Sequence, residues 1–262
     1  VSVGAKPVFC DVEDDFLISI KNIKKCLTKS TKAIMAVHLT GKLCDMKSIC
    51  KFCNEKNIFL IEDAAQAIGA NDPNNKKAGS FGIAGGFSLH PLKNLAVYGD
   101  GGVVTTNSYD LAEKIKQLRN HGLVNRDECL DWGLNTRLDE LQAAYALIKI
   151  KYIEDWTNKY IEISEIYSAR ITNKVIKPKT NSGFRDVYHN YIIVVEKEVR
   201  NLIMERLLAL GVETKIHYPI PLHLQPCASE LNYEEGDLPN VERLAKSMIS
   251  LPIYPLLRDK EI

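Results

Sequence analysis

Residues 58–66 read Ile-Phe-Leu-Ile-Glu-Asp-Ala-Ala-Gln, a short apolar run that ends at the acidic residue Asp63. A run of this length and composition predicts a buried strand of a parallel sheet. In such sheets ligands bind outside the carboxyl ends of the strands, which is where Asp63 would lie. The stretch therefore predicts an α/β fold with a candidate site at the end of this strand.

Strand-like and helix-like segments alternate along the first half of the chain. This alternation predicts a large α/β domain with a mostly parallel sheet. Beyond a helical connector at about 155–172, a smaller α+β unit is predicted. We therefore expect two domains, residues 1–154 and 155–262. The predicted strands are 7–12, 33–38, 58–62, 189–195 and 212–218, and the predicted helices are 20–27, the residues after Asp45, 109–120, 138–153, 198–210 and 240–250.

A second informative stretch, residues 87–94, reads Phe-Ser-Leu-His-Pro-Leu-Lys-Asn and lies between two glycine-rich segments. This apolar setting favours desolvation of Lys93, which lowers the pKa of an amine and lets it react with a carbonyl. A carboxylate beside the ring nitrogen of pyridoxal phosphate keeps that nitrogen protonated, so that the ring can accept electrons. Lys93 and Asp63 can supply these two functions. Together the two stretches suggest a pyridoxal phosphate site.

Two further side chains suit the same cofactor. Gln66 lies three residues after Asp63, so one turn of helix would bring its amide to the same ligand as a donor to a ring hydroxyl oxygen. Ser88 suits a phosphate oxygen if the backbone amides around it point inward. Taken singly, these residues have plainer explanations, because an aspartate after a strand often caps a helix, a serine before a proline often forms a turn and most lysines lie on the surface.

The composition excludes several classes of protein. The 262 residues are 45% hydrophobic and 26% charged, which is typical of a soluble globular protein. Lysine plus arginine number 34 against 33 aspartate plus glutamate, so no field is predicted that would attract nucleic acid or an anionic membrane. No apolar run approaches the roughly 20 residues of a membrane-spanning helix.

The cysteine pattern indicates a reducing compartment. Seven cysteines, an odd number, are scattered through a chain without a secretory signal, so we expect free thiols and a cytoplasmic location. Cys50 and Cys53 form a lone C-x-x-C on one face of the helix that Asp45 can cap. Because no second pair accompanies it, a zinc or redox role is disfavoured and no metal is expected.

Five ordered motifs resemble those of one protein family. They are residues 62–70, 87–95, 99–102, 135–144 and 216–225, and His38 and Gly41 extend the match. They are similar to the pyridoxal-phosphate-dependent sugar aminotransferases of the DegT/DnrJ/EryC1/StrS family, and the resemblance covers essentially the whole chain. It implies the aminotransferase fold of type I, with a large domain and a smaller C-terminal α+β domain.

The resemblance also implies roles for individual residues. Lys93 would bind the cofactor covalently, Asp63 would pair with its pyridine nitrogen, Gln66 would approach its phenolic oxygen and Ser88 would bind its phosphate. The lysine at position 93 distinguishes the chain from the dehydratases of the family, which have histidine there, so a deoxygenating enzyme is the disfavoured alternative.

Two more residues would act across subunits or on the substrate. Family members are dimers in which an asparagine at the place of Asn135 reaches the phosphate in the neighbouring subunit's site, so a homodimer with shared sites is implied. His217 would face the sugar or its nucleotide. From the residues alone, Asn135 is better explained as a helix N-cap ahead of Leu138, and His217 as a hydrogen-bonded histidine at a strand end.

The implied reaction moves an amino group from an amino acid, glutamate by family habit, to a nucleotide-linked keto-deoxyhexose. The sequences of the last two motifs resemble those of the branch of the family that acts on 3-keto sugars attached to dTDP. A C4-aminotransferase of the same family is an alternative. A segment with a glycine-rich phosphate-binding turn is expected before Val1 and a short helix after Ile262, so a truncated, non-catalytic dimerisation or regulatory module is the other alternative.

Overall fold

The computed structural model describes residues 1–171, 175–178 and 180–262. Its larger sheet has four strands in the order in which they occur along the chain, and the first three are parallel while the last is antiparallel to its neighbour. This mostly parallel sheet confirms the predicted α/β class. The strands are Ala33–Val37 (β1), Phe59–Asp63 (β2), Ala84–Ser88 (β3) and Gly102–Thr105 (β4).

The first crossover of the sheet is a helix, Met46–Lys56 (α2), between β1 and β2. It begins as predicted, because the Asp45 carboxylate accepts a hydrogen bond from the Ser48 amide at 3.2 Å. It ends at Asn57, whose φ of 52° is left-handed. The buried face of α2 packs against one face of the sheet, so the core of this part lies between them. The residues of that face are Met46, Ile49, Phe52 and Cys53.

The second sheet pairs two antiparallel strands, Tyr191–Val194 (β5) and Met248–Leu251 (β6). Every residue of β5 is buried, because helices and the neighbouring strand cover it. The remaining helices of the described chain are Ile20–Cys26 (α1), Tyr109–Leu118 (α3), Glu140–Lys149 (α4), Ile153–Arg170 (α5), Lys197–Ala209 (α6) and Pro239–Ser247 (α7), with 3₁₀ turns at Leu39–Gly41, Ile150–Tyr152, Leu222–Leu224 and Pro226–Leu231. Among the described residues no helix is both long and apolar enough to span a membrane.

Three predicted elements differ from the structure. Residues 7–12 and 212–218 form no strand and contribute only isolated pairings, Val12 with Ile18 and Lys215 with Ser250. The helix predicted for 240–250 ends at Ser247, and β6 follows at once. The residues of β6 pair with β5, which shows that tertiary pairing outweighs local helical spacing here.

Residues from each half of the chain pack into the core formed by the other half. Val187 is fully buried in the cluster between α2 and the larger sheet. Val12 and Phe16 pack against the cluster around β5 and α7. The division into domains at residues 154 and 155 stays a prediction.

Candidate active site

The site is built where the parallel strands end. Asp63 is the last residue of β2 and pairs in register with Val37 of β1 and Gly86 of β3. Ser88 is the last residue of β3. Because the carboxyl ends of parallel strands meet at one edge of a sheet, Asp63 and Ser88 share that edge. The sequence predicts the strand end for Asp63 and not for Ser88.

Lys93 follows β3 by five residues, in a turn closed by its own N–H, which donates to the His90 carbonyl at 2.8 Å. Burial lowers the pKa of the Lys93 amine, and the nearby carboxylate of Asp63 acts in the opposite direction. The Ser88 hydroxyl accepts a hydrogen bond from the His90 amide at 3.3 Å. The structure therefore brings a desolvated amine within electrostatic range of Asp63.

Gln66 is buried beside these residues, although it lies in a turn after β2 and not in a helix. Its Oε1 accepts a hydrogen bond from the Thr40 amide at 2.6 Å. This bond joins the loop after β1 to the loop after β2. It occupies the carbonyl end of the side chain, so the amide N–H groups are the donors that Gln66 can offer to a ligand.

Gly41 lets the loop after β1 lie close to the strand end. Its φ is +88°, and a Cβ there would come within 2.7 Å of Val187 Cγ2 and 3.0 Å of the Gln66 carbonyl oxygen. The Gly41 carbonyl accepts a hydrogen bond from the Val187 amide at 3.0 Å. A side chain at position 41 would push Val187 and Gln66 apart, so glycine is required by both the backbone conformation and the space.

The residue before Asp63 in β2, Glu62, has a buried carboxylate. Glu62 accepts hydrogen bonds from the amides of Gly79, Phe81 and Gly82 at 2.6–2.8 Å and contacts His38 Nε2 at 3.0 Å. His38 Nδ1 accepts a hydrogen bond from the Cys44 amide, so Nε2 carries the ring proton and donates to Glu62. Burial acts to raise the pKa of Glu62, but the hydrogen bonds from His38, Gly82 and Gly79 hold it below its usual range. Sequence reasoning did not assign this carboxylate.

Residues from the second half of the chain complete the site. His217 Nδ1 lies 2.8 Å from the Ser250 hydroxyl oxygen, and burial, Lys215 and Lys93 lower its pKa. His189 was missed by the sequence analysis. Burial, Lys93 and His217 lower the pKa of His189 to about 4. Only its position at the start of a predicted strand singled it out, and its partner Asn94 is 95 residues away.

Asn135 is the exposed member of the predicted set. Its Oδ1 accepts a hydrogen bond from Arg137 Nε at 2.6 Å. The N-cap position of α4 is occupied by Asp139, so Asn135 does not cap that helix. Within one chain the structure thus brings together Lys93, Asp63, Gln66, Ser88 and His217, and leaves Asn135 on the surface.

The donor set fits pyridoxal phosphate. A desolvated amine suits the cofactor's carbonyl carbon, a carboxylate suits its protonated ring nitrogen, and amide N–H and hydroxyl groups suit its oxygens. These groups occupy the carboxyl edge of a mostly parallel sheet, which is where such ligands bind. Fold and site together define a pyridoxal-phosphate-dependent aminotransferase of fold type I.

The whole chain, residues 1–262, matches the sequence profile of the DegT/DnrJ/EryC1/StrS aminotransferase family. The chain belongs to this family, and it is a sugar aminotransferase whose cofactor is pyridoxal phosphate.

Three similar proteins illustrate the match. A "pleiotropic regulatory protein" of Geobacillus stearothermophilus is 39% identical, over 98% of this chain and 70% of the relative. The dTDP-3-amino-3,6-dideoxy-alpha-D-galactopyranose transaminase of Aneurinibacillus thermoaerophilus is 40% identical, over 99% and 70%. The crystal structure of DesV from S. venezuelae superposes with a TM-score of 0.95 at 32% identity, over 99% of this chain and 70% of that one.

Proposed function

We propose that the protein transfers an amino group from glutamate to a nucleotide-linked keto-deoxyhexose, specifically a dTDP-3-keto-6-deoxyhexose. The observation that carries the chemistry is the desolvated Lys93 amine near Asp63. The sugar and nucleotide are supported by the similar transaminase, whose name specifies a 3-amino sugar on dTDP.

Each residue of the site has a task in this reaction. Bound pyridoxal phosphate supplies an electron sink for the carbon from which the amino group is removed. Lys93 would hold the cofactor covalently, and its amine, when free, would accept a proton from one carbon and return it to another. Asp63 would hold a proton on the ring nitrogen. Gln66 would donate to the ring oxygen, and Ser88 would donate to the phosphate.

The two substrates use the same site in turn. Glutamate delivers its amino group and leaves as a keto acid, and the keto-sugar then enters and receives the amino group. His217 belongs to the second half of the chain, and Lys93 acts electrostatically on its imidazole. We therefore assign His217 to the sugar or its nucleotide. Its bond to Ser250 fixes the orientation of the ring.

The substrate assignment is tested by incubating the protein with pyridoxal phosphate, glutamate and a dTDP-3-keto-6-deoxyhexose. We expect one 2-oxoglutarate for each amino-sugar formed, detected by mass spectrometry. The matched comparisons are the 4-keto isomer and a UDP-linked keto-sugar at equal concentration. Faster turnover of the 4-keto isomer would establish the C4-aminotransferase alternative, and a lack of turnover with every sugar would reject the proposed substrate class.

The regulatory alternative has one observation in its favour, the name of the Geobacillus relative. It predicts a folded chain that does not retain pyridoxal phosphate after gel filtration. Retention of the cofactor, with loss of its visible absorption band on adding glutamate, would exclude a purely regulatory module.

We also propose that the protein is a homodimer with shared active sites. Asn135 is exposed in one chain, which is consistent with a role in the neighbouring subunit's site. The segment 130–150 exposes large apolar side chains, which single chains rarely leave in water. They include Leu130, Trp132, Leu134, Leu141, Leu147 and Ile148.

Mixing two inactive variants tests this arrangement. Lys93→Ala and Asn135→Ala chains, unfolded together and refolded, should recover about one quarter of the wild-type activity, because half the random dimers would contain one intact site of two. The control is refolding each variant alone. Activity in the mixture equal to the mean of the two separate variants would contradict shared sites.

The location that we propose is the cytoplasm. All seven cysteines are free in the structure, in line with a reducing compartment. Burial raises the pKa of Cys50 and of Cys53, so these thiols are protonated at neutral pH.

A further inference from the structure

The Lys93 amine has no hydrogen bond of its own in the part of the chain that the structure describes. Its backbone N–H closes the turn by donating to the His90 carbonyl at 2.8 Å. A lysine side chain is a flexible four-carbon stem, so the place of its backbone decides which atoms the amine can reach. Whatever holds this turn in place therefore also governs where the amine acts.

Asn94, the next residue, ties the turn to the second half of the chain. Its side chain is buried, and its Nδ2 donates to the Val187 carbonyl at 3.0 Å. Because an amide oxygen only accepts, the Asn94 Oδ1 accepts a hydrogen bond from His189 Nδ1, also at 3.0 Å. Both ends of the carboxamide are thus bonded, to residues 93 and 95 positions away.

The segment that Asn94 contacts also bonds to the other loops of the site. The Val187 amide donates to the Gly41 carbonyl, in the loop after β1, at 3.0 Å. The Arg185 amide donates to the Asn71 carbonyl, in the connection between β2 and β3, at 3.0 Å. Val187 itself is fully buried in the core beneath these loops. One segment therefore connects the chain that follows each of the three parallel strands, and Asn94 supplies the connection for the turn of Lys93.

We propose that Asn94 is a positioning residue for Lys93: its two buried hydrogen bonds clamp the turn that carries the lysine to Val187 and His189, and so fix the point from which the amine reaches the cofactor. The inference rests on the proposed function of the same site. A turn held in this way loses its conformational freedom on folding and does not have to be ordered again in each turnover.

The first test needs neither a variant nor the cofactor. Hydrogen exchange of side-chain carboxamides is measured by ¹H–¹⁵N spectra of the wild-type chain. The Asn94 carboxamide is buried and bonded, so it should exchange at least about tenfold more slowly than that of Asn201, which is exposed. Equal exchange of the two carboxamides would overturn the proposal.

The second test uses Asn94→Leu, which keeps a side chain of similar size and removes both hydrogen bonds. The amides of Lys93 and Val97, whose hydrogen bonds close this loop, should exchange about tenfold faster than in the wild type. The matched control is Asn22→Leu, which removes another buried carboxamide, bonded to Glu13 Oε1 at 3.0 Å outside the site. Unchanged exchange in Asn94→Leu, or the same acceleration in Asn22→Leu, would contradict the clamp.

The third test separates the aim of the amine from its reactivity. The visible band that forms with pyridoxal phosphate requires alignment of the amine with a bound carbonyl carbon, so in Asn94→Leu it should form about tenfold more slowly. Acetylation of Lys93 by acetic anhydride, followed by mass spectrometry, requires no such alignment and should change far less. An equal loss in both reactions would overturn a positioning role.

These measurements distinguish the clamp from the proposed function. A wild-type chain that forms no band with pyridoxal phosphate would contradict the proposed function, whereas the two exchange measurements decide the clamp without cofactor or sugar.

Discussion

Replacing Lys93 by alanine should abolish amino-group transfer, with a loss on the order of 10⁴-fold or more. The reason is that one amine would both bind the cofactor and move the proton. The rate of 2-oxoglutarate formation from glutamate measures the effect. The visible absorption of the chain after incubation with pyridoxal phosphate and gel filtration provides a readout that is independent of the sugar.

The matched control for this variant is Lys47→Ala. Lys47 is exposed on α2 and lies outside the site, so its removal should leave both readouts unchanged. Both variants should unfold at the wild-type temperature, because neither lysine is part of the core. Turnover by Lys93→Ala within tenfold of the wild type would reject the assignment of this lysine.

Replacing Glu62 by alanine should lower the free energy of unfolding by about 3–5 kcal/mol. Glu62 is 1% exposed and accepts from three backbone amides and His38, so its loss leaves several buried donors without an acceptor. Urea unfolding followed by circular dichroism measures the change. The partially destabilised sheet edge should also weaken cofactor binding, because Asp63 is the next residue of β2.

The control is Glu55→Ala on α2. Glu55 makes an exposed contact of 4.0 Å with Lys51, four residues away in the same helix. Such pairs contribute little, so the free energy of unfolding should change by less than about 0.5 kcal/mol. Equal effects of the Glu62 and Glu55 variants would show that the buried network does not stabilise the fold.

The Glu62 network also predicts a pH dependence. Because the folded-state pKa of Glu62 lies below its ordinary value, the unfolded chain binds more protons in the acidic range. The contribution of Glu62 to stability is therefore fully present above its ordinary pKa and is lost as the pH falls through the folded-state pKa. The difference in unfolding free energy between the wild type and Glu62→Gln should shrink over that acidic range.

Much of the framework follows from the sequence itself. The apolar run ending at Asp63, the helix capped by Asp45 and the alternation of strands and helices predict the α/β class, and the structure has each of these features. The placement of Asp63 at the carboxyl end of its strand also follows, because it needs only the end of the apolar run. The strand that ends at Ser88 was not predicted. Such features depend on periodicity and capping, which act between residues close in sequence.

Other features required the tertiary structure. Met248 and Ile249 of β6 were predicted as helix, and only their pairing with β5 makes them part of a strand. The bond between Asn94 and His189 spans 95 positions and leaves no local pattern. The environment of Glu62 likewise depends on the loop at residues 79–82 folding back over β2. In each case the deciding energy comes from burial and hydrogen bonding between segments distant in sequence, which a periodic pattern does not encode.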